Sequence, residues 1–464
     1  MKVLLIHPPP REKGIETIVV PQLGLMYLAA VLEQNSIQVS ILDAFALGMS
    51  WEDFEKKVSE AGADIIGMGG MTPVIDVYKR AMTIARKYCR YLVMGGPHLS
   101  AYREKIFEDI PELDYGIVGE AEYSFLELVQ CLSSGDMDKL PAIPGILSRS
   151  FVNTAISMVD DLDALPFPAR HLSPVEKYHY SLSKYEPVFT IMSSRGCPYQ
   201  CIFCDKTVFG SKWRARSPEN VIAEIEEIVR KYNGKSFIFY DDLFTVDKKR
   251  AIAICKLIVE KGFKIEWKAE GRANIADEEM LEWMKKAGCS MIAYGVESGN
   301  LHSLRYLRKN FTPEQAERTF ALTRKYKIKT LAYFILGIPG ETYEQALESI
   351  EFACKIKPDY IQFGLLSPTY GTSLYDDAIA KNWYKEIDAK DPLGKDIKRA
   401  VIQSPEWDDE KMHKIIRTAY FKFYLRPSYI LSMIFRVDSY KQFLNSAQQG
   451  LKLGYWFLRS MVTK

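Results

Sequence analysis

Long hydrophobic runs are missing: no stretch of the 464 residues approaches the ~18 apolar residues needed to span a bilayer. The opening MKVLLIHPPPREKG is too short an apolar run for a secretory leader, so a cytoplasmic protein is expected. Charge of one sign is missing too. Lys and Arg number 61 against 59 Asp and Glu, a net of +2, which argues against a nucleic-acid partner recruited by bulk electrostatics. Neither GxxxxGK[ST] nor GxGxxG follows a strand-like run, which removes the usual phosphate-loop and dinucleotide fingerprints. Cysteine is scarce. Of eight, Cys89, Cys131, Cys255, Cys289 and Cys354 stand singly in helix- or strand-like patterns and read as small buried apolar residues.

The other three are crowded into SSRGCPYQCIFCDK, Ser193 to Lys206. Cys197, Cys201 and Cys204 have CxxxCxxC spacing and no fourth cysteine nearby. In a reducing compartment such a trio is suited to metal or redox chemistry rather than disulfides. Structural zinc wants four Cys or His ligands, and the nearest histidines, His171 and His179, have no finger-like spacing. A ferredoxin-type cluster also wants four cysteines. Unrelated buried cysteines would not gather in a polar loop containing Gly and Pro. The remaining reading is a [4Fe–4S] cluster with three protein thiolates and one iron left open.

The rest of the chain supplies the setting. Up to about Ser133, strand candidates Val3–Ile6, Val39–Leu42, Asp64–Met68, Tyr91–Met94 and Tyr115–Val118 alternate with helical patterns. Each parallel crossover needs a connection of helix length, so a doubly wound parallel sheet is expected. Its ligand end would carry HPPP, GMGGMT, GGPH and GEAE. Prolines and acids in LPAIPG and DDLDALPFPARHLSP mark an extended connection over 141–186. Six further strand candidates follow: Pro187–Ser194, Ser236–Tyr240, Ile265–Ala269, Met291–Val296, Thr330–Leu336 and Tyr360–Leu366. Six strand–helix units predict a partial (β/α)6 barrel of the TIM type, with its chemistry at the carboxyl ends of the strands. The expected blocks are therefore an α/β Rossmann-like domain over 1–140, the linker 141–186, the barrel over 187–387 and a helical C-terminal region over 388–464. From Lys411 to Lys464 ten Lys or Arg face one acid, Asp438, and a basic, aromatic tail of this kind fits either an anionic membrane surface or an amphiphilic substrate. Packing across the barrel mouth is the alternative.

With Phe203 before its last cysteine, the trio resembles the CxxxCxΦC signature of the radical S-adenosylmethionine (SAM) superfamily. The resemblance implies that Cys197, Cys201 and Cys204 hold three irons and that the amino and carboxylate groups of SAM chelate the fourth. Reduction would then split SAM into methionine and a 5′-deoxyadenosyl radical. It further implies SAM contacts at successive strand ends: Phe203 as a wall, Asp241 and Asp242 in YDDLF, Arg272 in EGRAN, Glu297 and Ser298 in YGVESG, and Gly337, Ile338 and Pro339 in LGIPGET. SPTYGTSLY at the sixth strand end would face substrate. The N-terminal sheet resembles the cobalamin-binding domain that precedes many radical SAM barrels. On that resemblance Pro9, Gly69, Gly70, Thr72, Gly95, Gly96, Pro97, His98, Gly119 and Glu120 contact the corrinoid. One departure matters. The DxHxxG motif that supplies histidine to cobalt is absent and VVPQLG stands near its place, so cobalamin is expected without a histidine lower ligand.

The implied cofactors are a [4Fe–4S] cluster, SAM and cobalamin, with an external flavodoxin- or ferredoxin-like one-electron reductant. The implied reaction is methylation of an unactivated carbon or phosphorus on a small molecule, lipid or tetrapyrrole-like substrate, under anaerobic conditions. Radical cyclisation or oxidation, as in relatives of the anaerobic magnesium-protoporphyrin ester cyclase or of hopanoid synthesis, is the second expectation. A corrinoid sensor that does not cleave SAM is the third. Methylthiotransferases are disfavoured, because the first domain holds only Cys89 and Cys131 rather than another cysteine trio.

Overall fold

In a computed structural model, residues 1–11, 18–153, 155–390 and 396–435 are described. The tail motif LKLGYWFLRSMVTK and Asp438 lie outside the described residues. The chain divides into two compact units. One comprises Met1–Tyr180, Glu186–Pro198 and Asp205–Phe237, and the other Ser181–Tyr185, Tyr199–Cys204 and Ile238–Lys464.

The first unit is built on β1 (Lys2–His7), β2 (Gln38–Asp43), β3 (Ile65–Gly69), β4 (Tyr91–Gly95), β5 (Tyr115–Ile117) and the short β6 (Ile146–Leu147), ordered β2-β1-β3-β4-β5-β6. All neighbours are parallel except β5 and β6. Val3, Leu5, Ile65 and Val93 fill the core on one face, and Leu4, Ile6, Ile66 and Met94 on the other. Burial on both faces explains the continuous apolar runs that marked these strands. The helix Trp51–Ala61 begins where Ser50 accepts the Asp53 amide and ends at Gly62 in the left-handed region.

The passage from 155 to 180 is less exposed than its composition predicts. Val159, Leu162 and Leu165 bury against Leu23, Tyr27 and Val31 of the helix Leu23–Gln34. Arg170 is buried with Glu224 at 2.5 Å.

The second sheet has the order β14-β13-β12-β11-β10-β7, where β7 is Val188–Ile191, β10 Ser236–Phe239, β11 Glu266–Arg272, β12 Cys289–Glu297, β13 Lys329–Leu336 and β14 Tyr360–Leu365. Between β7 and β10 a two-residue ladder, unforeseen in the sequence, pairs β8 (Ser194–Arg195) antiparallel with β9 (Arg214–Ala215). The alternation along β13, with every second residue buried, separates a helix-facing side from an open one. Trp267 donates its indole N–H to the Ala287 carbonyl behind the sheet, and Tyr294 shares a hydrogen bond with Thr323 of the helix Pro313–Lys325. Glu270, Arg272 and Gly295 therefore stand on the opposite side, with Glu270 level with Ala293 and Arg272 with Gly295.

In the C-terminal region the strands Tyr384–Lys390 and Asp396–Ile402 pair antiparallel, and the helix Asp409–Tyr424 packs on the second sheet. The Tyr420 hydroxyl bonds both Phe363 backbone groups, and Phe363 touches the rings of Tyr420 and Phe423. No helix among the described residues is long and apolar enough to cross a membrane.

Candidate functional site

The cysteine loop begins and ends differently. At its start, Gly196 has φ +83 and a Cβ there would collide with the Lys212 carbonyl, so only glycine lets the chain leave β8 toward Cys197. Arg195, just before it, donates to Glu120 at 3.0 Å and to Glu122 at 2.6 Å, all three buried. Its guanidinium also lies over the rings of Tyr27 and Phe209, at 5.3 and 5.4 Å. At its end the hold is apolar. Ile202 is buried with Leu307, Ile338, Leu366 and Leu374, and Phe203 packs against the same cluster. Backbone bonds from Ile202 to the Leu307 carbonyl and from Leu374 to the Ile202 carbonyl fasten the segment. The hydrophobic residues of CIFC thus anchor the turn in which the Cys204 amide meets the Cys201 carbonyl.

Cys197 and Cys201 are half-buried, Cys204 is exposed, and no cysteine is in a disulfide. Cys255 and Cys289 differ: both are buried, and desolvation raises their thiols, Cys289 to about 12. Thiolate is the metal-binding form, so the accessible trio, and not the buried pair, has the right donor chemistry. Among the described residues no three His, Cys, Asp or Glu converge as they would around a single metal ion.

The strand ends of the second unit bring several expected residues together. Glu297 sits at a register shift in β12 with φ +66, a conformation that a non-glycine residue adopts at a cost. Its buried carboxylate takes the Lys309 ammonium at 3.0 Å, and Gly295 leaves the room that carboxylate needs. Arg272 is buried, donates to Asn274 at 3.0 Å and lies 3.7 Å over the Tyr199 ring, within the cysteine loop. Lys309 lies 5.9 Å from the Phe203 ring. Asp241 is buried whereas Asp242 is exposed. Ser298 is fully buried and shares a hydrogen bond with Ser349 at 2.8 Å, a structural engagement. Gly337 and Gly340 both have φ +76 around buried Ile338 and Pro339, and Trp407 donates to the Ile338 carbonyl at 3.1 Å.

Two carboxyls here escaped assignment although both lie inside motifs recognised in the sequence. Among the described residues Glu270 receives one long hydrogen bond, from the Tyr333 hydroxyl at 3.4 Å, and burial pushes it up to about 7. Burial also raises Glu341 to about 7, against the bond it accepts from Ser303 at 2.7 Å. Lys309 was missed too, since a lone Lys in RKN carries no signal beyond its charge.

In the first unit the glycine-rich strand ends touch one another. Gly70 donates to the Gly95 carbonyl, His98 donates to the Gly70 carbonyl, and Gly96, at φ +88, has room for no side chain beside Gly70. A Cβ on Gly69 would meet nothing within 4 Å, so the backbone there is open to a ligand. His98 is 1% exposed and its Nδ1 meets Thr72 at 3.1 Å, while its buried Nε2 has no hydrogen-bond partner among the described residues. Burial lowers it to about 4, so it is neutral at pH 7. Pro9, two residues past β1, is buried, and Pro97 starts the short helix after Gly96. Gly119 has φ +82 and donates to Ser100 at 3.1 Å. The Glu120 carboxylate is held by Arg195, Arg214 and the Val159 amide. The open backbone at Gly69 and the orphaned Nε2 suit a large polar ligand such as a corrinoid.

A family model of the radical SAM superfamily matches residues 191–353, and one of the B12 binding domain matches residues 18–129. An uncharacterized methyltransferase of Pyrococcus horikoshii is 33% identical over 98% of this chain and 99% of its own. The chain belongs to the cobalamin-binding radical SAM enzymes. Its family cofactors are a [4Fe–4S] cluster, SAM and cobalamin, which makes it an enzyme rather than a sensor. Among its relatives, the anaerobic magnesium-protoporphyrin IX monomethyl ester cyclase of Rubrivivax gelatinosus is 28% identical, over 81% of this chain and 70% of that one. The cytidylyl-2-hydroxyethylphosphonate methyltransferase of Streptomyces wedmorensis is 28% identical over 85% and 84%. The fold is that of the radical SAM methyltransferase TsrM from Kitasatospora setae, solved with cobalamin and a [4Fe–4S] cluster bound: TM-score 0.73, 17% identity, 92% of this chain and 90% of that one.

Proposed function

We propose that this enzyme methylates an unactivated carbon, or a phosphorus, of a small or amphiphilic molecule. The end-to-end match to a methyltransferase, spanning both sheets, carries this reading. When bound, the cofactors supply a transferable methyl group and a hydrogen-abstracting radical, and an external reductant supplies the electron.

The protein's share is position and charge. Cys197, Cys201 and Cys204 would hold the cluster as thiolates. Lys309 and Arg272 offer cations to the SAM carboxylate, and Glu297, paired with Lys309, offers an acceptor to its ammonium. Asp241 and the backbone of Gly337, Ile338 and Pro339 would complete that site, while Ser298, bonded to Ser349 and the Asn300 amide, fixes the turn that follows Glu297. Gly69, Gly70, Thr72, Gly95, Gly96, Pro97 and His98 would cradle the corrinoid. We assign the corrinoid role to 1–140, the radical role to 187–387, and to 388–464 the support of the 337–341 loop. On the helices of that region Phe421, Leu425, Ile430 and Leu431 are exposed, which favours a hydrophobic substrate surface or a peripheral membrane contact.

The test is anaerobic reconstitution with iron, sulfide and hydroxocobalamin, followed by incubation with methyl-labelled SAM and an extract of cells lacking the protein. Methyl transfer yields labelled product with both S-adenosylhomocysteine and 5′-deoxyadenosine. Formation of 5′-deoxyadenosine without S-adenosylhomocysteine would instead establish the cyclase reading, which the Rubrivivax relative favours.

A further inference from the structure

Glu120 lies at the end of the first sheet, three residues past β5 and beside a left-handed Gly119. That address belongs to a ligand-binding strand end, yet the side chain is fully occupied. Arg214 grips both carboxylate oxygens, one at 3.0 Å, while Arg195 donates at 3.0 Å and the Val159 amide at 2.8 Å. Arg195 also holds Glu122 at 2.6 Å. The side chains of Glu120, Arg195 and Arg214 are 0–4% exposed. The two arginines are partners across the β8–β9 ladder, where Arg195 pairs with Arg214. That ladder closes the base of the segment carrying the cysteines, and Cys197 lies two residues beyond Arg195.

We infer that Glu120 is a positioning residue for the iron–sulfur loop rather than a corrinoid contact. One buried carboxylate at the end of the cobalamin-domain sheet clamps both strands at the base of the cysteine loop. The charges balance, two carboxylates against two guanidiniums, so removing one leaves an uncompensated buried cation. That cation relaxes by shifting β8, and Gly196 and Cys197 move with it. Of the two family-matched blocks, the first thereby supplies the hold on the first cysteine of the second.

The inference rests on the cysteine trio holding the cluster, so the experiment begins there. Full-length protein reconstituted anaerobically must bind iron and sulfide, and the Cys197→Ala/Cys201→Ala/Cys204→Ala variant must not. Failure at this step removes the functional reading itself. In Glu120→Gln, hydroxocobalamin uptake, read by visible spectrum, is expected within about twofold of the parent. Release of iron to a chelator should accelerate about tenfold, the scale of a local destabilisation of one decade. The cluster midpoint potential and the SAM-induced change in its EPR spectrum should shift with it. A tenfold loss of corrinoid uptake with unchanged cluster properties would overturn the inference, as would no change in either. If both are lost together, Glu122→Gln decides, because Glu122 bonds Arg195 and leaves the Arg214–Glu120 pair intact. An altered cluster with normal corrinoid uptake in that variant upholds the inference, and parallel loss or no change overturns it.

Discussion

Glu120 and Glu270 are both enclosed carboxyls at or near strand ends, one in each unit, and their surroundings are opposite. Glu120 meets two guanidiniums and an amide. Among the described residues Glu270 accepts one hydrogen bond, from the Tyr333 phenol at 3.4 Å, and Glu297 adds like charge that helps burial hold it near 7. A buried carboxylate with full partners is a structural joint. One left under-partnered on the open side of a partial barrel has hydrogen-bonding capacity to spend on something that arrives later. Strand-end position alone does not tell a carboxylate whose partners are all in place from one that lacks a cation.

The largest effect should come from the cysteines: any of Cys197→Ala, Cys201→Ala or Cys204→Ala abolishes 5′-deoxyadenosine formation, measured by chromatography after reconstitution. Next is the joint. Glu120→Leu strands Arg195 and Arg214 and should lower unfolding stability by about 3–5 kcal/mol, read by urea denaturation of the first unit's signal. Glu270→Leu should do the reverse or nothing, since it removes a desolvated acid that lacks a cation. A matching loss in both variants would erase the contrast.

The same contrast has a pH signature. Glu270 has a folded value of about 7, above its ordinary 4.5, so the folded state holds a proton that the unfolded state has already released. Stability from this group is complete below about pH 4.5 and falls as pH rises through about 7, by about 3 kcal/mol in all. Glu341 acts in the same direction. Glu270→Gln should flatten part of the fall, compared by urea midpoints at pH 5 and pH 8, whereas no flattening would place the acid in a wetter site. Smaller still, Lys309→Met should weaken SAM binding about tenfold in equilibrium dialysis while Lys309→Arg retains most of it. Smallest, Trp407→Phe loses only the bond to the Ile338 carbonyl and should cost about 1 kcal/mol, with a slight rise in SAM dissociation constant.

Most of the scaffold was legible in the chain. Parallel strands buried on two faces leave apolar runs, and amphipathic helices leave a three- and four-residue period, so both sheets could be placed within a few residues. The β8–β9 ladder was not legible, because two residues carry no periodicity. The linker's composition concealed its burial, since Val159, Leu162 and Leu165 are spaced among acids and prolines and their buried partners Leu23, Tyr27 and Val31 lie more than a hundred residues away.

The sequence by itself determined the family and its cofactors. Three thiols at fixed spacing and glycines at strand ends are local requirements, and local requirements are written in consecutive residues. Tertiary structure alone decided which charges are used up. Glu120 reads like a ligand contact until Arg195 and Arg214, 75 and 94 residues further on, are seen to neutralise it. Lys309 and Glu270 read as ordinary charges until folding pairs the first with Glu297 and gives the second, among the described residues, one long hydrogen bond from a phenol. Charge satisfaction depends on distances of a few ångströms between residues remote in sequence, and no stretch of sequence records those distances.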